Sequence, residues 1–419
     1  MPDLLRLVIA GSVDSGKSTT IGRLLFDSKQ ILDDQLAQIE RASIRRSRGH
    51  LDLSLLTDGL RAEREQGITI DVAYRYFATS RRAFVVADTP GHVQYTRNMV
   101  TGASTASLCI LVVGIDLGLV EQTRRHAVVA SLLGVRSLVV AVNKMDLVGF
   151  EEEPLTQLRR EFDDFLADLS FEDVRFIPIS ALRGDNIVRS SDDLTWYKGP
   201  ALLELLESVP VPLDDRLDHL RLPIQHVVRT ADGRGESRSY AGRIASGAIR
   251  VGDDVLVLPS NLRSRVRTIT VAGKAADSAR SQESVALTLE DDLDISRGHM
   301  IADPVHPPVA MRSFDALICW MGHDQLRTGS RYALKHTTNW SRVVVERIGH
   351  RFDLKHLRHR EVLSALGPND LGQISLRSLS PLFADPYQSN RTTGSFILVD
   401  EATNDTVAAG MITMPHSPG

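Results

Sequence analysis

One stretch near the amino terminus, Gly11-Ser12-Val13-Asp14-Ser15-Gly16-Lys17-Ser18, constrains the fold more than any other part of the sequence. The residues before it, Leu5 to Ala10, are mostly apolar and predict a buried strand, whereas those from Thr19 to Phe26 have apolar side chains at helical spacing. A glycine-rich loop between a strand and a helix turns its backbone N–H groups inward, where they can bind phosphate groups. We therefore predict a phosphate-binding loop of a nucleotide-binding domain.

Three side chains with oxygen ligands, Ser18, Thr69 and Asp88, are predicted to form a magnesium site next to this loop, and Lys17 is predicted to bind the phosphates. Lys17 should reach the β- and γ-phosphates, and the Ser18 hydroxyl should bind Mg²⁺. Thr69 lies in the tract Gly67-Ile68-Thr69-Ile70-Asp71, between the loop and the next strand, where a threonine can close over Mg²⁺ and the γ-phosphate. Asp88 ends a strand predicted from Arg82 to Ala87 and should hold Mg²⁺ through water.

The turn Asp88-Thr89-Pro90-Gly91-His92 follows the strand that begins at Arg82. Gly91 can offer its N–H group to the γ-phosphate, which would make the turn sensitive to that phosphate. His92 then stands where it could orient the attacking water, and we predict that it is the catalytic residue. The alternative is a surface histidine after a turn.

A third motif, Asn143-Lys144-Met145-Asp146, follows an apolar run and is predicted to bind the base. The Asp146 carboxylate can accept hydrogen bonds from the ring N–H and the exocyclic amine of guanine, a pair of donors that adenine lacks. Asn143 can bond another edge of the base, and the Lys144 stem can lie along its face. A backbone N–H group of Ser180-Ala181-Leu182 can reach the guanine oxygen. The sequence therefore predicts GTP, with Mg²⁺, as the ligand.

The fold predicted for this part is a mostly parallel sheet with helices on both faces, because strand-like runs alternate with helical segments. Further strands are predicted at Ser107 to Val113, Ser137 to Val142 and Val174 to Ile179, and the motifs lie at the carboxyl ends of strands. The predicted nucleotide-binding residues are Gly11, Ser12, Val13, Asp14, Ser15, Gly16, Lys17, Ser18, Thr19, Asp88, Thr89, Pro90, Gly91, His92, Asn143, Lys144, Met145, Asp146, Ser180, Ala181 and Leu182.

The pattern changes after residue 219, where short alternating runs separated by glycines and polar turns predict two small β-barrels. We predict a nucleotide-binding domain over 1–218, a first barrel over 219–307 and a second over 308–419. The run Lys355-His356-Leu357-Arg358-His359-Arg360 has two histidines, which are more often surface residues than zinc ligands when no other ligands are placed beside them.

The composition limits the possible partners and compartments. The 419 residues carry a formal net charge of −4, which disfavours a protein that mainly coats nucleic acid. Only two cysteines are present, no apolar stretch is long enough to cross a membrane, and no signal peptide is recognised, so we expect a cytoplasmic protein without a membrane partner.

The motifs together resemble those of translation-factor-type GTPases, and a GTPase domain followed by two barrels resembles elongation factor Tu. Finer tracts are similar to a specialised branch, the GTPase subunit of bacterial heterodimeric sulfate adenylyltransferase. These tracts are Leu55–Leu60, Arg61–Gly67, Asp71–Phe77, Tyr95–Met99, Leu289–Asp291, Asp294–Gly298, Asp385–Tyr387, Asn390–Arg391 and Thr393–Leu398.

The resemblance implies a partner: a small catalytic subunit that joins ATP and sulfate into adenosine 5′-phosphosulfate and pyrophosphate, driven by GTP hydrolysis on this chain. The two would form a heterodimer or a higher assembly. It also implies that Val13 and Ile68 are the apolar pair flanking the catalytic His92. Some relatives carry an adenylyl-sulfate kinase domain after the second barrel; here we expect a separate kinase or a trimmed chain.

Two departures from the branch lie near the motifs. Position 93 is valine where glutamate is expected, and Gly114-Ile115-Asp116 stands where the branch usually has Asp-Ala-Arg. They bear on coupling to the partner more than on GTP binding. The alternatives are a translation factor that delivers aminoacyl-tRNA and a regulatory switch without a coupled reaction.

Overall fold

The computed structural model describes residues 3–29, 53–56, 72–91, 96–210, 218–232, 235–353, 358–361 and 365–415. They form two compact units, one within each half of the chain. The amphipathic helix predicted around Leu36 and the basic run Arg41 to Arg48 lie outside the described residues. None of the described helices combines the length and the apolar character needed to cross a membrane.

The first unit is built on a six-stranded sheet with the spatial order β2-β3-β1-β4-β5-β6. All neighbouring strands are parallel except β2 and β3, which are antiparallel. The carboxyl ends of the parallel strands therefore share one edge, as predicted. The strands are β1 (Asp3–Gly11), β2 (Ala73–Ala78), β3 (Arg82–Asp88), β4 (Leu108–Gly114), β5 (Ser137–Asn143) and β6 (Asp173–Pro178).

Five described helices accompany this sheet: α1 (Lys17–Asp27), α2 (Thr96–Ala103), α3 (Glu121–Leu132), α4 (Glu152–Leu166) and α5 (Leu202–Ser208). Short 3-10 helices lie at Leu53–Leu56 and Met145–Val148.

The helices cover both faces of the sheet, which confirms the predicted fold class of this unit. Side chains of β1 alternate between the faces, and Leu7 and Ile9 belong to one buried cluster with Ile21 of α1 and leucines of α5. Val8 points the other way, toward α2. A Cβ atom added at Gly102 of α2 would lie 2.7 Å from Thr89 Cγ2 and 3.3 Å from Ala87 Cβ, so glycine allows this helix to pack closely against the end of β3.

The second unit contains two closed six-stranded barrels among its described residues. In each ring the first and last strands are hydrogen-bonded to each other, which closes the barrel. Closure leaves no open edge on either ring, which suits short strands with one apolar face. The predicted pair of barrels is confirmed, and the domain boundaries at 218 and 307 stay a prediction.

The strands of the first barrel region are β7 (Arg221–Asp232), β8 (Gly235–Arg243), β9 (Ala248–Arg250), β10 (Asp254–Leu258), β11 (Leu262–Val271), β12 (Lys274–Ala276), β13 (Ser278–Arg280), β14 (Ser284–Leu289) and β15 (Met300–Ala302). Those of the second are β16 (Val309–Trp320), β17 (Leu326–Arg327), β18 (Arg331–His336), β19 (Asn339–Asp353), β20 (Arg358–Glu361), β21 (Ala365–Leu366), β22 (Leu371–Ala384), β23 (Ser395–Val399) and β24 (Thr406–Pro415). The first ring follows the order β10-β15-β7-β8-β14-β11 and closes through β10–β11. The second ring follows the order β18-β23-β24-β16-β22-β19 and closes through β18–β19.

Each barrel encloses its own core. In β14, Val285, Leu287 and Leu289 are buried in the first-barrel cluster, whereas the residues between them are less buried. The same period of two places Phe314, Ala316 and Ile318 of β16 in the second cluster. The alternating pattern that predicted strands thus also selects the inward side chains.

A buried ion pair ties the two barrels together. Arg221, the first residue of β7, binds Asp385 after β22 through Nε–Oδ2 and Nη2–Oδ1 hydrogen bonds, both 3.0 Å. Its Nη1 also donates to the carbonyl oxygens of Leu220 and His306, and the Thr393 hydroxyl donates to Asp385 Oδ2 at 2.6 Å. Both residues are almost completely buried. Such a pair is favourable only because its polar atoms have these partners.

We expect Asp385→Ala to lower the free energy of unfolding by about 3–5 kcal/mol, because it leaves the Arg221 guanidinium buried without its counter-ion. Urea denaturation of the full chain measures this. Glu401→Ala is the matched control, since it removes an exposed partner of Arg342, 2.8 Å away, and should cost no more than about 1 kcal/mol. Equal losses in the two variants would contradict the structural role given to the buried pair.

Candidate nucleotide-binding site

The predicted phosphate loop lies between β1 and α1, and its two glycines are required by close approaches. Gly16 has a φ of 93°, and a Cβ atom there would lie 2.2 Å from Asn143 Nδ2. A Cβ atom on Gly11 would lie 2.3 Å from the Val112 carbonyl oxygen. Both contacts are far below a normal van der Waals distance, so a larger residue would push the loop away from the ends of β4 and β5.

Lys17 is held inside this loop. Its Nζ donates to the carbonyl oxygens of Gly11 and Ser12, at 3.1 and 2.8 Å, and the residue is 7% exposed. Burial lowers the pKa of Lys17 to about 8, and the nearby carboxylates of Asp88 and Asp14 oppose that shift. A buried cation of this kind would gain from the arrival of phosphate charge.

The turn after β3 lies against the phosphate loop. Asp88 is buried, and a Cβ atom on Gly91 would come within 2.7 Å of Lys17 Nζ, so glycine lets the turn lie next to that ammonium group. The Thr89 hydroxyl donates a hydrogen bond to the Ile9 carbonyl oxygen at 2.7 Å. The turn is thereby fastened to β1, which leads into the loop.

Asn143 joins three of the predicted loops. Its Nδ2 donates to the Ser15 carbonyl oxygen and its Oδ1 accepts from the Ala181 N–H, both at 2.9 Å. The residue is 3% exposed. Both ends of the amide hold other loops in the structure, the phosphate loop and the loop after β6. The predicted contact of Asn143 with the base stays a prediction.

The Asp146 carboxylate is held by a neighbouring hydroxyl. Ser180 Oγ donates to Asp146 Oδ1 at 2.7 Å, and the backbone N–H of Met145 donates to the Ile179 carbonyl oxygen. Met145 is fully buried and anchors the short helix that carries Asp146. Ser180 therefore orients the predicted base-binding carboxylate.

Two residues that the sequence analysis missed support the loops. His126 of α3 is buried, and its Nδ1 accepts from the Gly11 N–H at 3.1 Å. Burial lowers the pKa of His126 to about 3, with Lys17 acting in the same direction, so the imidazole stays neutral and can accept this bond. Arg23 of α1 donates to the carbonyl oxygens of Ala181 and Leu182, at 3.3 and 2.7 Å. Neither residue belongs to a recognisable motif.

The remaining predicted site residues differ in their exposure, and two of them are not described by the structure. Ser18 and Thr19 are half-buried in the first turn of α1, and Val13 is exposed at the loop surface. Thr69 and His92 lie outside the described residues, so their predicted roles stay predictions.

Among the residues that the structure describes, one group of side chains in the second unit has the composition of a metal site: His219, Asp303 and His306. Their nearest ligand atoms are 3.2 Å (His219 Nδ1 to Asp303 Oδ2) and 3.6 Å (His306 Nδ1 to Asp303 Oδ2) apart. However, the two imidazole rings are stacked, with 17° between their planes and 4.0 Å between their centroids. A metal lies in the plane of each ring that binds it, so this arrangement does not fit an ion.

Comparisons with known proteins agree with this geometry. The family described as elongation factor Tu GTP binding domain matches residues 2–213, and the family described as GTP-eEF1A C-terminal domain-like matches residues 313–413.

Relatives match over almost the whole chain. The bifunctional enzyme CysN/CysC of Mycobacterium tuberculosis is 52% identical over 415 residues, which cover 98% of this chain and 67% of that protein. Sulfate adenylyltransferase subunit 1 is 48% identical in Bacteroides fragilis and 47% identical in Bacteroides thetaiotaomicron, with 98% of this chain and 86% of each relative covered. The predicted resemblance is confirmed, and the chain belongs to the sulfate adenylyltransferase subunit 1 family of elongation factor Tu-type GTP-binding proteins.

Proposed function

We propose that this chain binds GTP with Mg²⁺ and hydrolyses it to drive a reaction on a partner subunit. The partner would be a small catalytic subunit that forms adenosine 5′-phosphosulfate and pyrophosphate from ATP and sulfate. One observation carries the proposal: the phosphate loop, the Asp88 turn and the Asn143–Asp146 motif meet at one sheet edge. The relatives named sulfate adenylyltransferase subunit 1, 46–48% identical, supply the coupled reaction.

The residues present fit a phosphate ligand and Mg²⁺. The N-terminus of α1 has neither a capping side chain nor an acidic residue in its first turn, so its N–H groups suit an anion. Ser18, Thr69 and Asp88 would hold Mg²⁺, since hydroxyl and carboxylate oxygens are its preferred ligands. Bound Mg²⁺ would neutralise phosphate charge, while Lys17 holds the phosphates in place.

His92 is proposed to orient the attacking water, with Val13 and Ile68 beside it. Val13 is 38% exposed on the phosphate loop, so its side chain is accessible from the side of the proposed nucleotide site. We further propose that adenylyl-sulfate kinase activity belongs to a separate protein or domain, and that no nucleic acid takes part. Delivery of aminoacyl-tRNA is disfavoured by the identity to the sulfate adenylyltransferase relatives.

The proposal is tested by GTP hydrolysis of the chain alone and then with the small subunit, ATP and sulfate. We expect a large rise that requires the partner and accompanies formation of adenosine 5′-phosphosulfate. Lys17→Ala should abolish both signals, because it removes the cation that holds the phosphates. Hydrolysis that is unchanged by partner and substrates would contradict the coupled function, and aminoacyl-tRNA binding would then be measured.

Asp146→Asn should shift the preferred base from guanine toward xanthine, because the amide offers a donor where guanine also donates. Competition of GDP and xanthosine diphosphate against a fluorescent nucleotide measures the shift. Asp168→Asn, at an exposed carboxylate of the same unit, should leave the preference unchanged. Unchanged GDP affinity in Asp146→Asn would contradict the assignment of this carboxylate to the base.

His92→Ala should slow GTP hydrolysis by ~10²-fold and leave GTP affinity unchanged, since loss of a group that acts on the attacking water costs about that much. Single-turnover hydrolysis and equilibrium binding separate the two effects. His323→Ala, at an exposed histidine of the second unit, serves as the control. An unaltered rate in His92→Ala would mean that another group positions the water.

A further inference from the structure

An acidic side chain next to the base-binding motif has no role in the proposed function so far. Asp116 lies just after β4, and its Oδ2 is 2.9 Å from Lys144 Nζ. The Ile115 N–H donates to the Asn143 carbonyl oxygen at 2.9 Å, which fastens this turn to the end of β5. The N–H groups of Leu117 and Gly118 both donate to the Gly114 carbonyl oxygen at 3.0 Å, so the turn folds back on itself.

Gly114 makes room for this carboxylate. A Cβ atom on Gly114 would lie 2.4 Å from Asp116 Oδ1 and 3.6 Å from Lys144 Cε. A larger residue at 114 would therefore force the Asp116 carboxylate to shift from this position. Gly114 does not have a positive φ, so its small size, and not an unusual backbone conformation, is what the contact requires. Gly114 and Asp116 are thus sterically matched.

Lys144 needs an external partner to hold its side chain. Its φ of 67° lies in the left-handed region that a residue with a Cβ atom seldom adopts, directly after the last residue of the buried strand β5. The side chain is 27% exposed, so burial alone does not fix it. A long lysine side chain has many rotamers, and a fixed carboxylate near its tip reduces that freedom.

We propose that Asp116 is a positioning residue for the nucleotide base. It holds the Lys144 ammonium group so that the lysine stem covers one face of the bound base. This rests on the proposed role of the Asn143–Asp146 motif in binding guanine. The Lys144 stem would contact the face of the base, whereas Asp146 would bind its edge. Asp116 should therefore strengthen binding of purine nucleotides without changing which base is preferred.

The test is equilibrium binding of a fluorescent GDP analogue to the full chain. Asp116→Asn keeps the size of the side chain and removes its charge, and we expect the Kd for GDP to rise about two- to fivefold at low salt. The Kd for inosine diphosphate should rise by the same factor. At about 1 M salt the difference from wild type should nearly disappear, because the pair is partly exposed and screened. Asp168→Ala is the matched control and should leave both Kd values unchanged.

A double variant separates positioning from a general structural role. Gly114→Asp with Asp116→Ala moves the carboxylate to a position whose Cβ atom would be 3.6 Å from Lys144 Cε, and it should restore GDP affinity to within about twofold of wild type. Gly114→Asp alone should bind GDP more weakly than Asp116→Asn, because the two carboxylates collide. Thermal unfolding should be unchanged in Asp116→Asn.

Different binding results would contradict the role of Asp116 and the proposed GTP binding of the chain. Wild-type affinity in Asp116→Asn at low salt, a loss that salt does not reduce, or no recovery in the double variant would each overturn the positioning role. If the wild-type chain itself fails to bind GDP, the proposed function fails, and this inference fails with it. Weaker binding with a lower unfolding temperature would assign Asp116 to stability and would also overturn the proposal.

Discussion

The candidate site depends on one buried amide. Asn143 ends β5 and bonds the Ser15 carbonyl oxygen with its Nδ2 and the Ala181 N–H with its Oδ1. Only a side chain with a donor and an acceptor can make both contacts, so neither aspartate nor leucine could replace it. The distance between the phosphate loop and the loop that orients Asp146 is therefore set by this group. Gly16 is required because the amide lies where its Cβ atom would be.

The charges of the phosphate loop favour an anion in the same place. Lys17 is buried against carbonyl oxygens, and burial lowers its pKa to about 8. His126 supports the loop as a neutral acceptor, and so adds no second buried charge beside Lys17. The uncapped N-terminus of α1 adds a partial positive charge. Burying the Lys17 charge and the partial positive charge of the helix N-terminus is unfavourable without a ligand, and a bound phosphate would offset this free-energy cost.

The sequence was sufficient for the motifs, the parallel sheet and the barrels, since each follows from local spacing and alternation. It was not sufficient for contacts between distant segments. His126 meets Gly11 across 115 positions of sequence and looks like an ordinary helical residue. The edge strand β2 was not predicted as a strand, because only Phe77 of its side chains is buried and it lacks the continuous apolar run of the central strands. The sequence shows Asp116 only as a departure from the branch, because its contact with Lys144, 28 residues away, depends on the fold.

The ion pairs Arg221–Asp385 and Lys144–Asp116 differ in burial, and this difference suits them to different roles. Arg221–Asp385 is buried with its hydrogen bonds satisfied, and it joins the two barrels because breaking it would leave an uncompensated buried charge. Lys144–Asp116 is partly exposed, and pairs of this kind contribute little and are screened by salt. A weak contact can restrict the lysine before a nucleotide arrives and still let the stem adjust to the base. A buried pair at that position would make the lysine rigid at the expense of nucleotide exchange.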